Sequence, residues 1–258
     1  MVYADLHVHT TRSDGSLPPE TIPVAAQDAG IDVVAITDHD RLAPFDDSVV
    51  RRDGVTLVSA IELRVESEQA GRLDLLGYGI TPTPALETLL ERIQDDRRER
   101  GREIVRRVET HLDVDLDVDV DEGFGRPHVA RAVDAHPEIE YSYAETFTEL
   151  IGEDGPCYVP RWVPSFEQGR QILADAAVVV SLAHPLRYAD PETALEVTGS
   201  LDAVEREYPY GQPVDLSIVD RAIDRHDLLV TGGSDAHDAC LGRAGLSKAA
   251  FFALGLVF

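Results

Sequence analysis

Short apolar runs that each carry a histidine or carboxylate at or near their end recur from the first residues of this sequence to the last. "DLHVH" closes on His7 and His9, with Asp14 in the loop behind. "DVVAITDHD" closes on Asp38, His39 and Asp40, and "VTLVSAIEL" carries Glu62. Further on, Asp74 lies in "LDLLGYGI", His184 ends "AAVVVSLAHP", Glu205 ends the strand of "LDAVERE", and Asp235 with His237 ends the last, "HDLLVTGGSD". The runs are β-branched or leucine-rich and bounded by polar turns, as strands are. Amphipathic stretches separate them: "LPPETIPVAAQDAG", with prolines at its start and Gly30 at its end, then "SFEQGRQILADA", "DPETALEVTG" and "PVDLSIVDRAIDR". Strand–helix alternation argues for parallel β/α units. In a β/α barrel the carboxyl ends of the strands form one face, where the active site sits. That topology would gather polar residues distant in sequence.

The middle of the chain breaks the alternation. Residues 82–156 read as a mainly helical insertion between the two parts of a barrel, 1–81 and 157–258. The insertion holds a long charged run, "TLLERIQDDRRERGREIVRRVETHL", and a helix pair around "GRPHVARAVDAH" and "SYAETFTELIG". Within it "DVDLDVDVDEG" fails as a calcium loop, because its glycine falls one place late and no glutamate closes it. A solvated acidic connector is the better reading.

Charge narrows the partners. Of 258 residues, 48 are acidic and 23 basic, a formal −25, and Lys248 is the only lysine. An acidic, lysine-poor surface fits a cytoplasm held at very high salt, where counter-ions screen self-repulsion. It argues against a broad basic groove for duplex nucleic acid, so a phosphate-bearing substrate needs bound cations or individual arginines. Cys157 and Cys240 show no CxxC spacing, which fits a reduced cytosol. No signal peptide is expected at the N-terminus. The apolar "AAFFALGLVF" is about half the ~20 residues of a membrane span and reads as the last piece of core.

The residue types name the chemistry. Alternate residues of a strand point the same way, so His7 and His9 can share one cation. Imidazole with carboxylate suits zinc, iron or manganese better than magnesium or calcium. Glu62 can bridge two ions through its two oxygens. Two or three such ions could turn a water into hydroxide and hold the oxygens of a phosphoryl group in line. They would also reverse the local sign of a very acidic chain. His111, His136 and His226 have no such setting and read as surface or packing residues.

Taken in order, "DLHVHTTRSDGS", "AITDHD", "SAIEL", "GRPHVARA", "SLAHP" and "TGGSDAH" resemble the motifs of the PHP (polymerase and histidinol phosphatase) superfamily. The chain is most similar to its stand-alone, TrpH-like phosphoesterases, the branch of the 3′,5′-nucleoside bisphosphate phosphatases. The resemblance, from Asp5 to about Gly242, implies an α/β fold: a distorted (β/α)7 TIM-like barrel with a helical insertion. It implies one ion on His7, His9, Glu62 and Asp235, a second on Glu62 and His184, and a third on Asp14, His39 and His237. Manganese is the first choice of metal, with zinc or iron(II) as alternatives. Where the branch usually has a histidine this chain has Asp74, a shorter, charged ligand for the second ion. Arg126 and His128 are implied as substrate-phosphate contacts, with His128 a candidate acid for the leaving group; the plainer reading of "GRPHVARA" is a helix start with Pro127 in its first turn. Arg161 and Arg187 are further candidate phosphate contacts, and Glu205 either supports a ligand or touches substrate.

The resulting expectation is a phosphatase on nucleotide monoesters such as pAp, with a metal-activated hydroxide as attacking group. The alternatives are a 5′-to-3′ exonuclease on short RNA or DNA, a histidinol-phosphate phosphatase, and a metal-binding module without catalysis. Tyr158, Trp162 and Tyr188 could stack a base in either nucleotide reading. Ligand types permit several metals, and the sequence does not set the oligomeric state.

Overall fold

The computed structural model describes residues 2–121 and 123–256. They form two compact units, Met1–Glu87 with Val163–Phe258, and Thr88–Trp162. The chain runs β1 (Ala4–Val8), α1 (Ile22–Ala29), β2 (Val33–Ile36), β3 (Val49–Arg52), β4 (Val55–Ser67), β5 (Gly71–Tyr78) and α2 (Pro84–Leu112). Next come α3 (Arg126–Ala135) and the single turn α4 (Tyr143–Glu145), which continues as a π-helix over Thr146–Leu150. The first unit then resumes with α5 (Phe166–Ala176), β6 (Val179–Leu182), α6 (Pro191–Glu196), β7 (Ala203–Glu207), α7 (Ser217–His226), β8 (Leu229–Gly232) and α8 (Lys248–Ala253).

One sheet runs β1-β2-β4-β5-β6-β7-β8, with β3 paired to β4 off this path. Beyond β8 the chain returns to β1: Ala236 N–H donates to His7 O at 3.3 Å and His9 N–H donates to Ala236 O at 3.0 Å. The two ends of the path therefore meet, as a distorted barrel requires. The pairs β1–β2, β2–β4, β6–β7 and β7–β8 are parallel. Uniform parallel β/α units were the expectation, and β5 breaks it, pairing antiparallel with both β4 and β6. Residues 68–70 are a turn too short for the crossover that a parallel connection needs. β3, which pairs antiparallel with β4, had no counterpart in the sequence reading.

Period-two alternation decides which residues are core. On β2 Val33 and Ala35 join one cluster and Val34 the other; on β4 Val58 and Ala60 oppose Val55 and Leu57. The first cluster also takes Leu6, Tyr78 and Ala203, and α8 adds Phe251 with Leu254 and Leu256 beyond it. The C-terminal apolar run thus enters the core through Phe251, Leu254 and Leu256, while Phe252 stays exposed; Val257 and Phe258 lie outside the described residues. The second cluster packs Ile22 and Ala26 of α1 beneath the sheet.

The smaller unit has its own core, including Ile104, Val108, Phe124, Val129, Leu150 and Cys157. Both of its bounds lie six residues later than the expected 82–156, so that it starts after residue 87 and takes in residues 157–162. The reason is that residues 157–162 pack there: Arg107 Nη1 donates to Tyr158 O, Arg100 Nε to Val159 O, and Trp162 N–H to Asp96. In the acidic connector Val114, Leu116, Val118 and Val120 face this core while the alternating aspartates stay exposed. No helix among the described residues is long and apolar enough to cross a membrane.

Candidate metal centre

Strand geometry sets the first ligands. His7 lies in β1 and His9 just past its end, two residues apart and on one side, with ring centroids 5.2 Å apart. β4 outlasts its parallel partner β2, so Glu62 sits within β4, not at its end, and bridges laterally to His39. His184 and Asp235 follow β6 and β8 with φ of 28° and 49°. Left-handed backbone at non-glycine residues costs about 1–3 kcal/mol and persists where surroundings enforce it. Two glycines let the chain close around these residues. A Cβ at Gly233 would lie 2.2 Å from His7 N, and one at Gly15 would lie 2.4 Å from His9 O.

Glu62 is the hub. Its Oε1 is 3.0 Å from His184 Nε2 and 3.5 Å from His7 Nε2; its Oε2 is 2.8 Å from His39 Nδ1 and 3.4 Å from His9 Nε2. Asp235 Oδ1 faces His9 Nε2 at 3.1 Å and His7 Nε2 at 3.5 Å. Asp14 gathers His237 Nε2 at 3.3 Å, His39 Nε2 at 3.7 Å and His9 Nδ1 at 3.8 Å. Three groups thereby have ligand atoms within 4.8 Å of one another: His9–Asp14–His39–His237, His7–His9–Glu62, and Glu62–Asp74–His184.

The donor set fits divalent cations. His7 Nε2, both ring nitrogens of His9, Asp14 Oδ1 and Glu62 Oε2 are buried without an aligned hydrogen-bond partner, a condition that buried polar atoms seldom tolerate. Burial is the largest influence on the ionisation of these residues and opposes their charged forms. For most of them pairing nonetheless wins. Opposing burial, His39 and His7 hold the Glu62 carboxyl well below its ordinary range, and His237 and His9 do the same for Asp14 and Asp235 respectively. Glu205 and Glu62 raise His7 well above the usual imidazole value, and Glu62 lifts His39 to about 9, each against desolvation. His9 is the exception, lowered by burial. Cations entering here would displace those protons.

Behind the inner residues stands a layer that orients them. Glu205, expected either to support a ligand or to touch substrate, is fully buried. It bonds His7 Nδ1 at 2.9 Å and accepts from His184 N–H at 2.7 Å, so both of its oxygens brace candidate ligands. The first bond directs His7 Nε2 inward. Asp5 accepts from Ser234 N–H at 2.8 Å, Ser234 Oγ at 2.6 Å and Gly242 N–H at 2.8 Å. Asp38 accepts from Thr10 N–H, Thr10 Oγ1 and Ser13 Oγ, each at 2.7 Å. Sequence reading assigned no role to Asp5, Asp38 or Tyr208; a buried aspartate two residues before His7 was the available signal.

A cleft of about 430 Å³ opens over the centre, and Arg64, Arg72, Arg187 and Tyr188 line it beside the ligands. Arg187 donates to Asp235 Oδ2 at 2.9 Å and to the Tyr208 hydroxyl at 2.8 Å. In the smaller unit Arg126 Nη1 donates to Ile151 O at 3.3 Å, and His128 Nδ1 accepts from Gly125 N–H at 3.2 Å, capping α3. Arg161 and Tyr158 also belong to that unit, and Arg92 covers the Trp162 ring at 3.7 Å.

Known proteins are similar to this chain. The 5′-3′ exoribonuclease Rnm of Salmonella typhimurium is 28% identical over 255 residues, covering 93% of this chain and 86% of the relative. The 3′,5′-nucleoside bisphosphate phosphatase of Chromobacterium violaceum is 27% identical over 257 residues, covering 92% and 88%. A solved structure from Bifidobacterium adolescentis superposes with a TM-score of 0.79 at 23% identity, over 98% of this chain and 95% of the other, and so shares the fold. The PHP domain model matches residues 5–151, more than half of the sequence and the part that carries His7, His9, Asp14, His39 and Glu62, and the chain belongs to the PHP domain family.

Proposed function

We propose that this chain is a metal-dependent phosphoesterase that removes a phosphate from a nucleotide, converting a 3′,5′-nucleoside bisphosphate such as pAp to the 5′-monophosphate. One observation carries the reading. Buried imidazole and carboxylate atoms without aligned partners converge under a cleft whose walls carry arginines. His7, His9, Glu62 and Asp235 hold one ion; Asp14, His39 and His237 hold another; Glu62, Asp74 and His184 face a third position. When bound, divalent cations supply charge for the phosphoryl oxygens and acidify water. Manganese is the metal proposed, in a cytoplasm rich in salt.

The chain's own residues do the rest. Glu205 keeps the proton of His7 on Nδ1 so that the Nε2 lone pair is free for an ion. Arg187, its side chain 54% exposed, presents a planar fork suited to phosphate. Arg126, His128 and Arg161 are proposed substrate contacts by family resemblance, with His128 giving a proton to the leaving oxygen. Arg126→Ala then raises KM and leaves bound metal unchanged. The cleft's volume lies within the range of small-molecule sites, which favours a mononucleotide.

A second reading, 5′-to-3′ hydrolysis of short RNA, draws support from the Rnm relative. Hydrolysis rates on pAp, a short 5′-phosphorylated RNA and histidinol phosphate discriminate the readings: the mononucleotide is expected to lead by kcat/KM. Inactivity on every phosphoester despite full metal loading would leave only a metal-binding module.

A further inference from the structure

Asp74 differs from the other carboxylates of the centre in having both oxygens taken. Arg64 Nε donates to Oδ1 at 2.8 Å and Arg64 Nη2 to Oδ2 at 2.7 Å, the two-pronged match that makes guanidinium–carboxylate pairs strong. The two residues are direct cross-strand partners on the β4–β5 hairpin, so strand register itself builds the fork. Backbone bonds steady it: Asp74 N–H donates to the Tyr188 hydroxyl at 2.9 Å, and Arg64 N–H donates to Asp40 Oδ1 at 3.3 Å. The Asp74 side chain is 4% exposed and that of Arg64 37%. The carboxylate's charge is met by a guanidinium, not by water.

Asp235 provides the contrast. Its Oδ2 takes Arg187 and Tyr208 at 2.9 and 2.7 Å, which leaves Oδ1 turned to His7 and His9. One oxygen stays available there; at Asp74 neither does. The unpaired buried atoms divide the same way. His7, His9, Asp14 and Glu62 Oε2 supply them in the other two groups, whereas Glu62 Oε1 and His184 Nε2 already bond each other at 3.0 Å. At the Asp74 corner only His184 Nδ1, the other nitrogen of that ring, lacks a bond. An ion entering this corner would have to share the Asp74 oxygens with the guanidinium and sit beside a fixed positive charge.

Resting on the metal-centre reading above, we propose that Arg64 is the resident cation of the Glu62–Asp74–His184 corner. Its guanidinium takes the place of a divalent ion. The chain therefore holds two ions tightly and a third only by sharing the Asp74 oxygens with Arg64. Arg64 acts as a positioning residue, fixing the charge and shape of the cleft wall through Asp74.

The test counts metal and needs no substrate. Metal-free protein is equilibrated with manganese chloride, bound manganese is measured by elemental analysis, and affinities come from calorimetric titration. Wild type is expected to saturate with two tight ions per chain. Arg64→Met frees the Asp74 oxygens, and Asp74→His removes the carboxylate that Arg64 grips. Each is expected to admit the third ion with affinity raised about tenfold or more, the scale of outer-shell effects on metal sites. If Arg64→Met does not fold, judged by circular dichroism, Asp74→His alone decides. Three ions of similar affinity in wild type, or no gain in the folded variants, overturns the role of Arg64 and leaves the metal centre standing. No bound manganese in wild type overturns the centre itself, and this proposal with it.

Discussion

Replacing Glu205 with glutamine changes one atom and forces a choice that the site cannot satisfy. Glu205 is fully buried, and its two oxygens serve two different donors, His7 Nδ1–H at 2.9 Å and the backbone N–H of His184 at 2.7 Å. A glutamine has one acceptor, so one of the two loses its partner. If the amide NH2 turns to His7, the imidazole must give up its Nδ1 proton, which leaves the remaining proton on Nε2, the atom that faces Glu62 and Asp235. If it turns to His184, two N–H groups confront each other and the left-handed backbone there, φ 28°, loses its support. A buried donor left unpaired costs about 1–3 kcal/mol, and a chain of this size loses about 2–4 °C per kcal/mol. The metal-free Glu205→Gln protein is thus expected to melt about 2–12 °C lower. Loss of an outer-shell partner weakens metal binding about 10- to 100-fold. Calorimetric titration with manganese and thermal melting of the metal-free protein check both figures. A variant matching wild type in affinity and melting point would show that Glu205 does not orient His7, and the derivation of the site would fail at that step.

Glu62→Ala is expected to cost the chain the ion of His7, His9 and Asp235 and to abolish turnover, since its oxygens face those rings; elemental analysis that finds both tight ions retained refutes the role of Glu62 as a ligand. Gly233→Ala places a Cβ 2.2 Å from His7 N, backbone that cannot step aside; urea unfolding should show a loss of about 1–3 kcal/mol, with manganese binding weakened. His39 rises from 6.5 to about 9 through Glu62 against the opposing effect of burial. Its raised folded value stabilises the metal-free protein fully below pH 6.5 and is lost as pH climbs through about 9. Manganese needs the neutral ring, so its affinity should rise over the same window, and parallel trends in melting and affinity would contradict this. At a formal −25, self-repulsion should fall as salt shortens the Debye length from about 10 Å at 0.1 M to about 3 Å at 1 M; a melting point that does not rise with potassium chloride would refute a surface adapted to salt.

What the residues alone determined was local. Short β-branched or leucine-rich runs bounded by polar turns marked β1, β2 and β4 to β8, and the residue types at and near their ends marked the imidazoles and carboxylates that converge, because both signals are written within a few neighbouring positions. The reversal of β5 was also readable, since the few residues between it and β4 hold no helix, but the regular alternation elsewhere masked it. Tertiary structure alone decided three things. Pairing register set Arg64 opposite Asp74 and turned an expected metal ligand into half of an ion pair. Closure of the sheet brought Glu205 behind His7, 198 positions away in sequence, and made it a brace for that ring. Packing drew residues 157–162 into the smaller unit. Each depends on contacts between segments far apart in the chain, and no pattern within a single segment encodes which distant partner it will meet.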